Sequence, residues 1–416
     1  MKFRWETEFK ETEIGEIPRD WEVEKIEKIG EIGGGTTPST KINDYWGGHI
    51  PWITPKDLSI LEYRFIQKGE RNITEKAVKE NSLRIYPAGT VLLTSRAPIG
   101  YVAIAKNSVT TNQGFKNIIP KDKISSEFLY YVLIYIAEYL KDISGGSTFG
   151  ELTKEILRDV KIPFPPLSEQ SRIATVLSWF DDLIENKKRQ NEILEKVAMA
   201  LFKNWFIDFE PFKNEEFVYN EDLGKEIPKG WEVKRIGNAF TLIKGKKCNL
   251  LSEKIVGANP YLLIESFKNK SNSFWTLEKE CMIHELDVVL IADGESSGKV
   301  LRFKEGILGS TLLTLKQKKK EKLIDLRTLI YLYLKNIEDE IMEHRTGSAI
   351  PHLDKNYLIE LLFVLPPPPI LQSFHSLVEP IFQKIILNQK QIMLLRKIRD
   401  RLLPLLVFGK LRVEEI

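Results

Sequence analysis

The sequence predicts an α+β chain with an internal duplication: two mixed α/β domains alternating with two long α-helices that pair as an antiparallel coiled coil. Three observations predict it. The chain repeats itself once at a spacing near that of a whole domain. Each repeat opens with short apolar runs separated by turn-forming residues. Each repeat closes on a long run with heptad spacing.

The repeat is read from ordered landmarks. Ile17-Pro18-Arg19-Asp20-Trp21-Glu22-Val23 returns as Ile227-Pro228-Lys229-Gly230-Trp231-Glu232-Val233, an offset of 210. Gly89–Leu93 is answered by Leu286–Leu290, Gly146-Ser147 by Gly347-Ser348, and Leu152 by Leu353. A proline cluster (Pro163, Pro165 and Pro166; Pro366 to Pro369) then precedes Gln170 and Gln372, now 202 apart. Preserved order with a drifting offset means duplication followed by divergence of loops. The period is far too long for a solenoid, so each repeat should be a domain with an appendage.

Within the first repeat, residues 14–125 scatter Gly, Pro, Thr and Ser between short apolar runs such as Gly89–Leu93 and Tyr101–Ala105. That pattern predicts strands joined by loops, with some helix. Phe128–Leu140 reads as a buried helix. Ser168-Glu169-Gln170-Ser171, polar residues ahead of an apolar-periodic run, marks the start of the long helix. In that run Ile173, Phe180, Leu194 and Leu201 fall at sevenfold spacing, as do Leu177, Ile184, Ala198 and Trp205, with Lys187 and Asn191 interrupting the stripe. The second repeat carries Phe374, Ile381, Leu395 and Leu402 beside Val378, Ile385, Ile392 and Leu406, with Asn388 as its interruption. Pro380 should kink this helix or mark a late start. Each helix would be on the order of 55 Å long, and neither can bury its stripe alone. Packing against each other is the economical solution; packing of each on its own domain is the alternative. The expected segments are 14–167, 168–208, 209–369 and 370–405.

Composition excludes several classes. Of 416 residues, 43% are hydrophobic and 29% charged, which rules out wholesale disorder. Two cysteines, Cys248 and Cys281, are too few for a disulfide scaffold or a four-cysteine zinc site, and fit a reducing, cytoplasmic setting. Met1-Lys2-Phe3-Arg4-Trp5 lacks the apolar stretch of a signal peptide, and the most apolar run is too short and broken by Glu138, so no membrane association is expected. With 61 basic against 58 acidic residues, the net charge of +3 neither demands nor forbids a nucleic acid.

No catalytic or metal-binding constellation emerges, and no cofactor is expected. Cys281-Met282-Ile283-His284 has no second ligand pair. Asp293–Val300 misses the spacing of a phosphate loop by one residue and ends on Val300 instead of a magnesium-holding hydroxyl. Gly33-Gly34-Gly35-Thr36-Thr37-Pro38 completes no dinucleotide fingerprint, and no methyltransferase tetrapeptide of Asn/Asp-Pro-Pro-aromatic type occurs. Binding chemistry is better represented. Lys41, Tyr45, Trp46, Thr54, Lys56 and Asp57 interleave cations, aromatics and polar groups in a Gly/Pro-rich stretch. Ser95 and Arg96 sit directly after an expected strand, where an arginine can grip a guanine edge or a phosphate. The second repeat offers Lys244, Lys246 and Lys247, and then Asp293, Glu295, Ser296, Ser297 and Lys299 in the loop matching Arg96. The basic run Lys316–Lys322 reads as a solvated turn in preference to a DNA contact.

The ordered motifs carry a resemblance. Ile17-Pro18…Trp21, Gly35-Thr36-Thr37-Pro38-Ser39, Ile50-Pro51-Trp52-Ile53-Thr54, Gly89-Thr90-Val91-Leu92, Thr111-Asn112-Gln113-Gly114-Phe115 and Ile162-Pro163-Phe164-Pro165-Pro166-Leu167-Ser168-Glu169-Gln170 together resemble the specificity subunit of type I restriction–modification enzymes, over nearly the whole chain. The second half departs from it: Leu371 stands where Glu169 would repeat, and the Thr-Asn-Gln-Gly-Phe stretch becomes Gly309-Ser310-Thr311-Leu312-Leu313. The resemblance adds Asn112 and Gln113 to the candidate DNA contacts. It implies two target-recognition domains, each reading one half of a split, asymmetric site in double-stranded DNA. It further implies helices that set the spacer, two copies of an adenine-N6 methyltransferase subunit as partners, and endonuclease subunits joining for cleavage. Two other readings compete: a duplicated scaffold that binds only proteins, and a stand-alone methyltransferase or nuclease.

Overall fold

A computed structural model describes residues 2–96, 98–145, 150–267, 274–318, 325–347 and 349–416. Gly146, Ser147 and Ser348 of the repeat landmarks, and Lys319, Lys320, Glu321 and Lys322 of the basic run, lie outside the described residues. Contacts divide the chain into two compact units, Met1–Glu185 with Leu394–Ile416, and Asn186–Met393. Both boundaries cut through the long helices, Leu167–Phe206 and Pro368–Val407. Each helix therefore gives one half to each unit.

The first unit is built on a five-stranded sheet in the order Gly30–Gly34, Phe115–Pro120, Val91–Thr94, Val102–Ala105, Phe65–Ile66. All neighbours are antiparallel except the last pair. Val91, Leu92 and Leu93 are wholly buried, so this central strand packs on both faces. One face meets Phe128, Leu129 and Val132 and, beyond them, Ile173, Leu177, Leu403 and Leu406 of the two helix halves. The expected helix over 128–140 is two, Ser126–Tyr135 and Ala137–Ile143, broken at Ile136. Its apolar face is narrower than the sequence suggests, since Tyr135 and Tyr139 are exposed. Trp46–Ile53 forms a second sheet with Thr110–Thr111 and Arg71–Ile73.

The second unit has the same central order without the fifth strand: Phe240–Lys244, Leu312–Gln317, Val289–Ile291, Val300–Leu301. A second sheet joins Trp275–Thr276, Asn259–Leu262, Gly306–Leu308 and Met282–Ile283. Its core gathers Leu290, Leu313, Leu329 and Ile330 against Phe202, Phe206, Phe374, Val378, Phe382 and Ile385 of the helix halves.

The helix halves run antiparallel within each unit. In the second unit Asn388 Nδ2 donates to Asn191 Oδ1 at 2.9 Å, while the rings of Phe206 and Phe374 lie 4.7 Å apart. In the first, Arg399 is bonded to Asp181, and Arg172 Nε donates to the Val413 carbonyl at 2.6 Å. One predicted series is the seam: Leu177, Ile184, Ala198, Val378, Ile385, Ile392 and Leu406 are all buried, and Trp205 alone of that series is half-buried. The other series needs correction. Ile173 and Phe374 are buried, but Phe180, Leu194, Leu201, Ile381, Leu395 and Leu402 are only half-buried and flank the seam. The first helix instead buries Ala174, Asp181, Lys188 and Phe202, one residue further along. Polar groups hide the series, because an apolar stripe is what periodicity detects. Asp181 is satisfied by Arg399 and by the Tyr131 hydroxyl, which donates at 2.6 Å. Pro380 neither breaks nor delays the second helix, which runs through it from Pro368. Pro380 is exposed, away from the buried seam residues Val378 and Ile385.

The chain ends, unassigned by sequence, close the first unit. Lys2–Trp5 pairs antiparallel with Leu411–Glu415, whose Leu411 and Val413 enter the core. Arg412 lies between them. Its guanidinium donates to Glu6 Oε2 at 2.6 Å, Asp20 Oδ2 at 2.9 Å and Glu169 Oε2 at 2.8 Å; Glu169 Oε2 also accepts from the indole of buried Trp21 at 3.0 Å. Removing one partner from such a buried network strands the others, so Arg412→Ala should cost about 3–5 kcal/mol, read as a lower urea midpoint of the purified chain. Burial alone would raise the Glu6 carboxyl, but the amides of Glu8 and Thr7 with Arg4 and Arg412 depress it to about 2. A carboxylate depressed on folding contributes stability above its unfolded pKa near 4.5 that is lost as pH falls toward 2. The urea midpoint should therefore fall across that window, and fall less in Glu6→Gln.

Candidate DNA-recognition interface

Several predicted contacts are spent inside the fold. Tyr45 is buried and its hydroxyl donates to Glu80 Oε2 at 2.7 Å. Thr54 caps the helix Pro55–Ile60 and shares a capping box with Asp57. Asp57 is buried, accepting from the Thr54 amide at 2.7 Å and the Glu70 amide at 2.8 Å. Ser95 and Ser297 are fully buried. These four side chains (Tyr45, Asp57, Ser95 and Ser297) are corrected from surface contacts to internal structure. Turn chemistry and recognition chemistry draw on the same polar residues, which is why sequence alone confuses them.

Other candidates remain at the surface. Lys41 is exposed, and Lys56 is exposed beside Glu70 at 2.8 Å. Trp46 is half-buried, edge-on to Trp52, and covered by the exposed guanidinium of Arg71 at 3.5 Å. Gln113 is exposed and accepts from the Thr37 hydroxyl, while Asn112 Oδ1 accepts from the Gly114 amide at 2.9 Å. In the second unit Lys246 is exposed and paired with Glu280; Lys247, Glu295 and Lys299 are exposed, and Ser296 is half-buried. Asp293–Lys299 is the turn between the antiparallel strands Val289–Ile291 and Val300–Leu301.

Matching hydrogen bonds align the two units at one place. The Ser95 amide donates to the Gly114 carbonyl at 2.7 Å, as Ala292 does to Thr311 at 2.8 Å. The Leu152 amide donates to the Ser95 carbonyl at 2.9 Å, as Leu353 does to Ala292 at 2.9 Å. Arg96 thus corresponds to Asp293, and Glu151 to His352. The counterpart of Thr111–Phe115 is Leu308–Leu312, one residue earlier than sequence alignment suggests.

Each place holds a three-membered polar cluster built around one carboxylate. In the first unit Arg96 Nη2 meets Glu151 Oε2 at 2.9 Å, and Lys116 Nζ meets Glu151 Oε1 at 3.1 Å. Arg96 holds the Glu151 carboxyl below its ordinary range, overcoming partial burial with help from Lys116. In the second, Lys244 Nζ meets Asp293 Oδ2 at 2.8 Å and His352 Nδ1 meets Asp293 Oδ1 at 2.8 Å. Burial pushes the Asp293 carboxyl up, but Lys244 and His352 outweigh it and hold it low. Glu151, Lys116 and His352 were missed by sequence reasoning. The signal was present: Glu151 and His352 directly precede the aligned Leu152 and Leu353.

A family model described as the type I restriction modification DNA specificity domain matches this chain twice, over residues 18–196 and 228–396. The chain belongs to the type I restriction–modification specificity family. Within that family it is 55% identical to the MjaIX specificity subunit of Methanocaldococcus jannaschii, over 100% of this chain and 99% of that one. It is 32% identical to the EcoR124I/EcoR124II specificity subunit of Escherichia coli, over 45% of this chain and 47% of that one. The crystal structure of a specificity subunit from M. genitalium shares the fold, with a TM-score of 0.55 at 20% identity, covering 93% of this chain and 96% of that one. A specificity subunit supplies DNA sequence recognition to a type I restriction–modification system and is its non-catalytic component. Among the described residues no group of His, Cys, Asp or Glu is placed to hold a metal, and no helix is long and apolar enough to cross a membrane.

Proposed function

We propose that each unit of this specificity subunit reads one half of a bipartite, asymmetric site in double-stranded DNA. The recognition segments are residues 14–167 and 209–369; the helical segments 168–208 and 370–405 set the spacer and dock two methyltransferase subunits, with endonuclease subunits joining for cleavage. The complex works in the cytoplasm. One observation carries this reading: two sheets of the same strand order present different exposed side chains at the same place, Arg96 in one and Asp293 with His352 in the other. Matching scaffolds with unlike edges suit two unlike half-sites. Lysines and arginines supply phosphate contacts that set register, and a few loop side chains read base edges.

The test is to co-express the chain with its methyltransferase subunits and sequence the methylated positions. A single split motif with unlike halves is expected; a continuous or palindromic motif would defeat the proposal. Arg96→Ala should weaken binding by about 1–3 kcal/mol and relax one position of the first half-site, as loss of a guanine contact does. An equal loss on every sequence would make Arg96 a phosphate contact.

A further inference from the structure

The geometry points to His352, oriented by Asp293, as the second unit's reader of a base that carries an exocyclic amine in the major groove, cytosine or adenine. The inference rests on the split-site reading above and names the residue and base class at one place.

Three features support it. First, the imidazole is presented rigidly but openly. The His352 amide donates to the Thr346 carbonyl at 2.7 Å, and the Thr346 amide donates back at 2.9 Å. The flanking Gly294–Pro351 and Leu353–Ala292 backbone bonds, each 2.9 Å, tie the segment to the central sheet. The side chain is nevertheless half exposed, at the mouth of a polar depression of about 580 Å³ that Lys244, Asp293 and Asn356 also line. Second, the Asp293 carboxylate accepts at Nδ1 and so calls for the proton there. In the neutral ring this leaves Nε2, bonded by no described residue, as an outward acceptor. Third, the first unit shows the inverse arrangement. There the cation Arg96 stands where Asp293 is, and the carboxylate Glu151 stands where His352 is. Lysine is kept but changes strand: Lys116 lies opposite Gly34, whereas Lys244 lies opposite Leu313 at the corresponding rungs.

Donor and acceptor are therefore exchanged on one scaffold. Arg96 offers N–H donors, which suit the two acceptors on the guanine edge. His352 offers an acceptor, which suits the amine of cytosine or adenine and is mismatched to guanine. Asp293 is a positioning residue, since it acts through the ring it orients.

The experiment is the methylated motif produced by the whole complex carrying His352→Arg, His352→Gln or Asp293→Asn, with assembly checked by co-purification. The wild-type contact should specify one base pair of the second half-site, a C·G pair if His352 meets cytosine and an A·T pair if it meets adenine, and the pair that responds to the variants separates the two. His352→Arg should shift that position toward guanine. Asp293→Asn should relax it roughly tenfold to a hundredfold, with the first half-site unchanged. His352→Gln, which keeps an acceptor of similar reach, should relax it least. A motif unchanged in all three variants would overturn the inference, as would a uniform loss at every position. A wild-type complex that methylates no split site would overturn the underlying recognition reading, and this inference with it.

Discussion

Exchanging residues 14–150 for the corresponding segment of another specificity subunit should replace one half of the methylated motif and leave the other half intact. The sheets that carry Arg96 and His352 belong to different compact units, with separate cores. Nothing in the second unit's sheets is touched by the exchange. The demand falls on the junction instead. Phe128, Leu129 and Val132 pack in the same core as Ile173, Leu177, Leu403 and Leu406, so a graft must keep their volumes or lose about 2–5 kcal/mol per large truncation. Arg64 is a second constraint: Nη2 pairs with Asp182 at 2.9 Å, and its amide donates to Glu185 at 3.0 Å. Sequencing of the methylated positions decides the matter. Both half-sites changing together would mean that the units do not read independently.

Adding one heptad to each helix should lengthen the spacer without altering either half-site. The insertions belong where both helices pass from one unit to the other, after Glu185 and after Met393. Seven residues keep the seam in phase and add roughly 10 Å, which equals about three base pairs of DNA. Three base pairs also rotate a half-site by roughly 100°, a mismatch that twisting or bending absorbs at a cost of a few kcal/mol. The expected spacer growth is thus about one to three base pairs. The matched design is necessary because the helices pair in both units, Asp181 with Arg399 in one and Asn191 with Asn388 in the other. Inserting in one helix alone would leave its partner seven residues short, so that one seam must slip or bulge, and a slip in the second unit would part the 2.9 Å hydrogen bond between the two asparagines. An active complex with its original spacing would show that the helices are not the ruler.

Much of the fold was legible because duplication supplies its own control. The landmarks at Trp21 and Trp231 are both buried, and the seam positions Leu177, Ile184, Val378 and Ile385 are apolar and announce themselves. Asp181 and Lys188 do not, because a buried charge is recognisable only with its partners, and Arg399 lies more than two hundred residues from Asp181. The same limit governs the interface. Asp57 looked available because it is polar and near tryptophans; a capping box is a local pattern, but whether its carboxylate keeps a free edge depends on Glu70. Glu151 and His352 were hidden for the opposite reason. Neither is remarkable alone, and their equivalence follows from which backbone amide meets which carbonyl, a property of the folded sheet.

The division of the chain also fixes an order of events during synthesis. Leu403, Leu406, Val407, Leu411 and Val413 complete the core of the unit that begins at the N-terminus. A ribosome makes these residues after all of Asn186–Met393. The first unit must therefore wait with an unfinished core while the second, spanning Asn186–Met393 without interruption, emerges whole. This reverses the usual sequence, in which N-terminal domains fold first. A chain that stops after Met393 would have a sound second unit and a first unit that exposes apolar surface. Loss of residues 394–416 is then a folding lesion in the first recognition sheet, more than two hundred residues earlier in the chain.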